Sequence, residues 1–379
     1  MRSQTFSRRL SLVVSAILFG AVAGCSNSDK DTPGHLEGQL EAPASVSEAA
    51  DGRFPRVKIV NVFEPPGESN VRSSFKLAEN TGLIGTEESG DVFKTVDSGM
   101  TWAKQIDGGD LWGLDDVRNY LRADDGYLYI TTSEPALVCR SLDEGASWEV
   151  LARPKASRTV GIVQLDNGAM LVGLRRAEQL QTSIIRSDNY FESYEWIPVS
   201  EETPPQNTTC FHNLGGAEVL VGVGYEASGK IYKSTEHGRT WEKKADYPEA
   251  RDMMWFFEEA GKVYLLASGV STLYVSDDRG ETWKKHRQFW EKGFLGMSQP
   301  FEYGGKRYVL MTGTDQTRKP YRHVILISDD QAETWYEWIE LDQDETGGAS
   351  NLAVLSESRI VAGTGNHSAQ GKAFTLQVE

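Results

Sequence analysis

The sequence predicts an all-β protein, a seven-bladed propeller of four-stranded antiparallel blades with six blades as the alternative, on three observations. An eight-residue pattern ending in Trp returns at near-constant intervals along most of the chain. Between its copies, short runs of alternating apolar and polar residues are broken by Gly, Asn and Asp, as strands are broken by turns. The chain is also long enough, at 379 residues, to bury a large core. Its 3 Cys are too few for a disulfide framework or a structural zinc site, and no metal or cofactor is expected.

The first copy of the pattern is Thr95-Val96-Asp97-Ser98-Gly99-Met100-Thr101-Trp102. It is echoed from Ser141 to Trp148, with Asp143 and Gly145, and from Ser276 to Trp283, with Asp278 and Gly280. Looser copies run from Ser234 to Trp241, with Glu236 for Asp, and from Ser328 to Trp335, with Asp330 but Ala332 for Gly. A worn copy, read as two residues longer and lacking the Gly, runs from Ser187 to Trp196. Gly supplies the positive φ of a tight hairpin, and the short Asp carboxylate accepts backbone N–H bonds across it. Ser and Thr hydroxyls close the same network. The Trp offers a flat surface to wedge between neighbouring sheets. These are stabilising turns rather than catalytic ones. The pattern Ser-x-Asp-x-Gly-x-Thr-Trp resembles the Asp-box, or BNR, repeat of sialidase-like β-propellers.

In the second unit the strands are expected over Val117 to Arg122, Tyr127 to Thr132, Ala136 to Arg140 and Trp148 to Ala152, with the box at the third turn. Four strands per unit at this period is a propeller pattern. Trp102 and Trp335 are five intervals apart, about 46.6 residues each, and about seven such intervals fit after Gly52. Beyond the last box lie three strands, Asn351 to Leu355, Arg359 to Gly363 and Ala373 to Val378. The unassigned strand Arg56 to Phe63 is expected to complete that blade and close the ring, which removes exposed sheet edges.

The N-terminus reads as an address. Arg8 and Arg9 precede the apolar run Leu10 to Ala23, which is too short to cross a bilayer comfortably. It ends in Val22-Ala23-Gly24-Cys25, which resembles a bacterial lipoprotein signal. The resemblance implies residues 1–24 as a cleaved leader, lipid on Cys25, and an outer-membrane address because Ser26 follows. A plain leader with a chance Cys is the alternative. Residues 25–52 are polar and small, which reads as a flexible tether, and residues 53–379 as the propeller. Removing Arg2, Arg8 and Arg9 takes the formal net charge from −16 to −19, so nucleic acid is not an expected partner.

In a propeller of this kind the box turns lie on one face and the binding loops on the other. Innermost strands are expected to start near Arg72, Arg118, Arg158, Thr208, Arg251, Met297 and Ser350. Arg72, Arg118, Arg158 and Arg251 would then line the channel mouth as a funnel for an anionic group. Alternatively they pair with Asp115, Asp116, Glu249 and Asp252, and Arg175-Arg176 could join the rim. Sialidase chemistry would need an arginine triad and a Tyr activated by a Glu. Tyr225-Glu226 is a candidate, although adjacent strand residues point to opposite faces and cannot simply activate each other. Glu87-Glu88 is a second, of use only if another carboxylate faced it. His212 sits toward the box end of its strand and His237 within a box, while His323 and His367 read as surface or strand residues. Cys139 and Cys210 read as small buried residues, and Trp112, Trp255, Trp290 and Trp338 as core. The leading expectation is a monomeric, lipid-anchored envelope module that binds an anionic glycan or a protein partner. Propellers without sialidase residues serve as assembly factors in photosynthetic membranes. The rival is a glycoside hydrolase or polysaccharide lyase acting on acidic glycans.

Overall fold

In a computed structural model of the chain, the residues described are 47–48, 52–109, 113, 116–177, 182–202, 206–224, 228–345, 347–365 and 370–379. The leader, Cys25 and all but the end of the tether lie outside them, as do Tyr225, Glu226, Trp112, Asp115 and His367.

The chain forms consecutive four-stranded antiparallel sheets. After β1 (Ser47–Glu48) and β2 (Val57–Phe63), sheet A holds β3 (Asn70–Ala78), β4 (Thr81–Glu87), β5 (Val92–Thr95) and β6 (Ala103–Ile106). Sheet B holds β7 (Asp116–Arg122), β8 (Leu128–Ser133), β9 (Val138–Ser141) and β10 (Glu149–Ala152). Sheet C holds β11 (Ala156–Gln164), β12 (Met170–Ala177), β13 (Thr182–Ser187) and β14 (Glu195–Ser200). Sheet D holds β15 (Asn207–Gly215), β16 (Glu218–Gly224), β17 (Gly229–Ser234) and β18 (Glu242–Tyr247). Sheet E holds β19 (Met253–Glu259), β20 (Lys262–Ala267), β21 (Thr272–Ser276) and β22 (Lys284–Gln288). Sheet F holds β23 (Gly293–Tyr303), β24 (Lys306–Asp315), β25 (Tyr321–Ser328) and β26 (Tyr336–Asp344), whose outer edge pairs in parallel with β1. Sheet G holds β27 (Gly348–Ser356), β28 (Arg359–Gly365) and β29 (Lys372–Val378). Its fourth strand is β2, paired antiparallel with β29 from Val57↔Val378 to Phe63↔Ala373.

Hydrophobic contact runs from sheet to sheet. Leu83 and Val92 of sheet A pack with Val117 and Ile130 of sheet B, and Leu310 and Ile325 of sheet F with Leu352 and Ile360 of sheet G. Sheet G packs in turn on sheet A, where Val361 and Ala373 meet Val71 and Ile84. The box tryptophans wedge into these seams: Trp102 joins the G–A cluster, Trp148 the A–B cluster, Trp241 the C–D cluster, Trp283 the D–E cluster and Trp335 the E–F cluster.

The turns use the expected chemistry, with one addition. Gly99 N–H donates to Thr95 Oγ1 at 2.8 Å, while Asp97 accepts Thr101 N–H at 2.8 Å and its hydroxyl at 2.6 Å. The fourth position also has positive φ, as at Ser98 (58°), Glu144 (58°) and Arg279 (59°), so both central residues are left-handed as in a type I′ hairpin. The box Gly is needed twice over, because a Cβ on Gly280 would lie 2.7 Å from Leu220 of the preceding sheet.

The worn copy is corrected in length. It is an eight-residue turn ending at Tyr194, with Asn189 in the Asp position accepting Ser193 N–H at 3.1 Å and Phe191 (φ 66°) in the Gly position. The amide oxygen of Asn replaces one carboxylate oxygen, and Phe191 offsets its left-handed backbone by burying its ring in the B–C seam. Trp196 therefore belongs to β14, beyond the turn.

Candidate functional site

Strand direction assigns the ends. A first strand starts, and a second strand stops, at the end of each sheet opposite the box turn. At that end, single residue pairs join neighbouring sheets: Glu87↔Asp116 from A to B, Ser133↔Arg158 from B to C, and Gly365↔Asn70 from G to A. Arg72, Glu87, Arg118 and Arg158 are thus held on backbone ladders, while Arg251 lies two residues ahead of its first strand.

Two cavities open there. The smaller, about 240 Å³, is lined by Arg72, Arg118, Arg158 and Arg175 over an apolar floor that includes Val160 and Met253. The larger, about 420 Å³, is lined by Arg72, Arg251, Lys292, Phe294, Gln316 and Ser350 among others. Arg72, Asp252 and Met254 line both, so the two are adjoining compartments of one mouth. Three of the four nominated arginines therefore share one cavity, and Arg251 stands in the next.

The smaller compartment is densely paired. Asp116, fully buried, lies 2.5 Å from Arg118 Nη2 and 3.6 Å from Arg72 Nε. Glu87 Oε1 accepts from Arg72 Nη2 at 3.1 Å, and Arg158 Nη2 lies 3.5 Å from Glu134. Burial, reinforced by the neighbouring charges of Arg72 and Arg158, pushes the Arg118 guanidinium down to about 10 despite Asp116 and Glu87. Arg72 goes the other way: burial opposes its charge, but Asp116 and Glu87 outweigh it and raise its pKa. Across the β11–β12 ladder Arg158 stands directly opposite Arg175, a like-charge pair that costs stability by itself.

The carboxylate candidates do not face one another across a cavity. Glu87 is buried against Arg72 and the Asn70 amide, and Glu88, at φ 91°, accepts the Ser69 hydroxyl at 2.7 Å. Neither is among the lining residues of either cavity, where Asp252 is the one carboxylate among the described residues. Glu249, nominated as a partner of Arg251, instead accepts the Tyr274 hydroxyl at 3.0 Å. His212 lies 3.6 Å from Glu258 and stacks on Phe256, and burial lowers its pKa against the pull of Glu258. His237 sits in its box turn, at φ 53°. His323 is a strand residue but not a surface one: it is fully buried on β25, 3.2 Å from both Thr314 Oγ1 and Asp344 Oδ2. Cys139 and Cys210 are free, buried thiols pushed up to about 12 by burial.

Sequence reasoning missed Lys292, Gln316 and Phe294. Lys292 precedes the first strand of its sheet as Arg251 does, so aligning the strand entrances of all units would have found it. Gln316 follows a second strand, and nothing in its sequence surroundings marks it.

Residues 229–352 match the Sortilin-Vps10 family model, described as Sortilin, neurotensin receptor 3. The photosystem II assembly lipoprotein Ycf48 of Trichormus variabilis is 28% identical over 165 residues, a match covering 42% of this chain and 44% of that lipoprotein's length. Among solved structures, YCF48 bound to D1 peptide is similar with a TM-score of 0.59 at 16% identity, over 90% of this chain and 100% of that one. A GH74 xyloglucanase from Xanthomonas campestris is similar with a TM-score of 0.57 at 14% identity, over 83% of this chain and 53% of that one. At such identities the likeness is one of fold: the chain is an all-β, propeller-like protein.

Proposed function

We propose that this protein is a non-catalytic binding or assembly module, a seven-bladed Asp-box propeller closed by β2, whose mouth receives an acidic segment of a protein partner. The observation that carries this reading is the convergence of Arg72, Arg118, Arg158, Arg251 and Lys292 on two adjoining cavities in a strongly acidic chain. The pairing of sheet G with both β2 and sheet A supports closure, and the turn hydrogen bonds support the Asp-box assignment. A protein partner is favoured over a glycan because one similar structure is that of YCF48 bound to D1 peptide and one relative is a photosystem II assembly lipoprotein. That relative also supports the lipid on Cys25 and an envelope location, proposed here as the outer membrane. A glycosidase needs two carboxylates at the reacting bond, and the described lining offers Asp252 alone.

The test is a panel of acidic and neutral peptides, sialosides and uronate polysaccharides presented to the purified full chain. Acidic peptides are expected to bind with an affinity that falls as salt rises, and no glycan is expected to be turned over. Turnover of any glycan, or binding confined to oligosaccharides, would sink the proposal.

A further inference from the structure

The charges of the mouth are not equivalent. In the smaller compartment Arg72, Arg118 and Arg158 each already face an acid of the chain itself. Asp116 lies between Arg72 and Arg118, Glu87 holds Arg72 as well, Glu134 stands by Arg158, and Arg175 is itself engaged. An incoming carboxylate would meet, beside each of Arg72, Arg118 and Arg158, a fixed anion at 2.5 to 3.6 Å from it, so attraction and repulsion nearly cancel a few ångströms out. Guanidinium N–H groups not spent on those acids can still donate to uncharged carbonyls.

The larger compartment differs. Arg251 and Lys292 are both exposed, and neither forms an ion pair with a described residue. Around them stand Gln316 and Ser350, able to complete the hydrogen bonds of a carboxylate, the apolar surfaces of Phe294 and Met254, and Asp252, the one carboxylate of the described lining, which is itself engaged. The backbone is close-set here: a Cβ on Gly348 would lie 1.8 Å from the Phe294 ring, so glycine keeps the wall thin.

From this distribution we infer that Arg251 and Lys292 form the carboxylate-selecting subsite, while the wall of Arg72, Arg118 and Arg158 is self-neutralised and receives uncharged backbone groups of the same extended peptide. The inference rests on the mouth being the binding site. It places selectivity in the two cations nearest sheets E and F rather than in the three arginines that converge. The peptide would cross from one compartment to the other over Met254, which lines both.

The experiment uses the full chain in detergent at low salt, with fluorescence anisotropy of N-acetylated, C-amidated (Gly-Glu)3 and (Gly-Gln)3. The quantity read is the ratio of their dissociation constants. Changing both cations, Arg251→Gln with Lys292→Gln, is expected to lower the preference for the Glu peptide about tenfold. Arg158→Gln, whose partner Glu134 is at the surface, is expected to weaken both peptides alike and keep the ratio within about twofold; Arg118→Gln should do the same if it folds. A ratio that collapses with Arg158→Gln and survives the double change overturns the inference. If the wild-type chain binds neither peptide, or no variant alters either affinity, the mouth itself is discarded as the site. A third probe, (Gly-Gln)3 with a free C-terminus, identifies the source of the carboxylate. If the double change weakens this probe alone about tenfold, the subsite holds a chain terminus; if it weakens the Glu peptide, the subsite holds an acidic side chain.

Discussion

A single carboxylate illustrates how the turns are held. Asp278 accepts Thr282 N–H at 2.8 Å and its hydroxyl at 2.5 Å, and chiefly through these bonds its pKa is lowered to about 2 from 3.8. A carboxyl depressed on folding stabilises the fold fully above its unfolded value, and that contribution drains as pH falls from about 4 toward 2. At Asp97 and Asp330 burial opposes the charge but the equivalent bonds outweigh it, and with Asp143 all three are lowered in the same direction, so the turns should weaken together in acid. Asn189 marks the minimal side chain that suffices, since its amide oxygen accepts Ser193 N–H and its nitrogen donates to the Ser193 hydroxyl. Asp278→Asn is therefore expected to cost less than about 1 kcal/mol at pH 7 and to flatten the acid dependence, whereas Asp278→Ala loses the bonds and costs roughly 1–2 kcal/mol. Urea unfolding at pH 7 and pH 3 measures both. An Asn variant as damaged as the Ala variant would contradict the account.

At the scale of the hairpin, backbone conformation and close approach act on the same residue. Gly99 has φ 86°, and a Cβ there would sit 2.5 Å from Thr375 Oγ1 and 2.9 Å from Val361. The Thr375 hydroxyl also donates to Gly99 O at 2.8 Å, stitching the first box turn to sheet G. Gly99→Val is expected to cost roughly 2–4 kcal/mol, read as a lower urea midpoint, because it combines a left-handed strain with an overpacked seam. Much of this was legible in the residue string. The Gly, the Asp and the hydroxyls sit at fixed offsets, and local hydrogen bonding needs little more than those offsets. The left-handed fourth position and the true end of the worn copy were not, because Ser98, Glu144 and Phe191 carry no side-chain mark of a positive φ. Phe191 holds its turn only through the hydrophobic seam it enters.

For the molecule as a whole, β2 is the element with the longest reach. It joins the start of the described propeller to its last strand over the Val57↔Val378 to Phe63↔Ala373 register. Asn61 adds bonds to Gly99 O and Met100 O of the first box turn, at 2.9 and 3.0 Å, so this strand ties sheet G to sheet A. Deleting residues 53–63 is expected to bare the β29 edge and to produce aggregation and loss of a single cooperative unfolding transition, measured by light scattering and calorimetry. A deletion variant that stays monodisperse and unfolds in one step at an unchanged temperature would remove β2 from that role.

Sheet class, strand spacing, turn chemistry and the arginines at the strand entrances could be read directly from the chain, because each depends on residue type at short, repeating separations. Which charges stay available could not. Both Arg118 and Arg251 come near the start of a first strand, yet one lies against a buried Asp116 and the other stands exposed in the cavity that Lys292 also lines. That difference arises from groups brought together by the packing of separate sheets, and electrostatic interaction follows distance in space, which the order of residues does not encode.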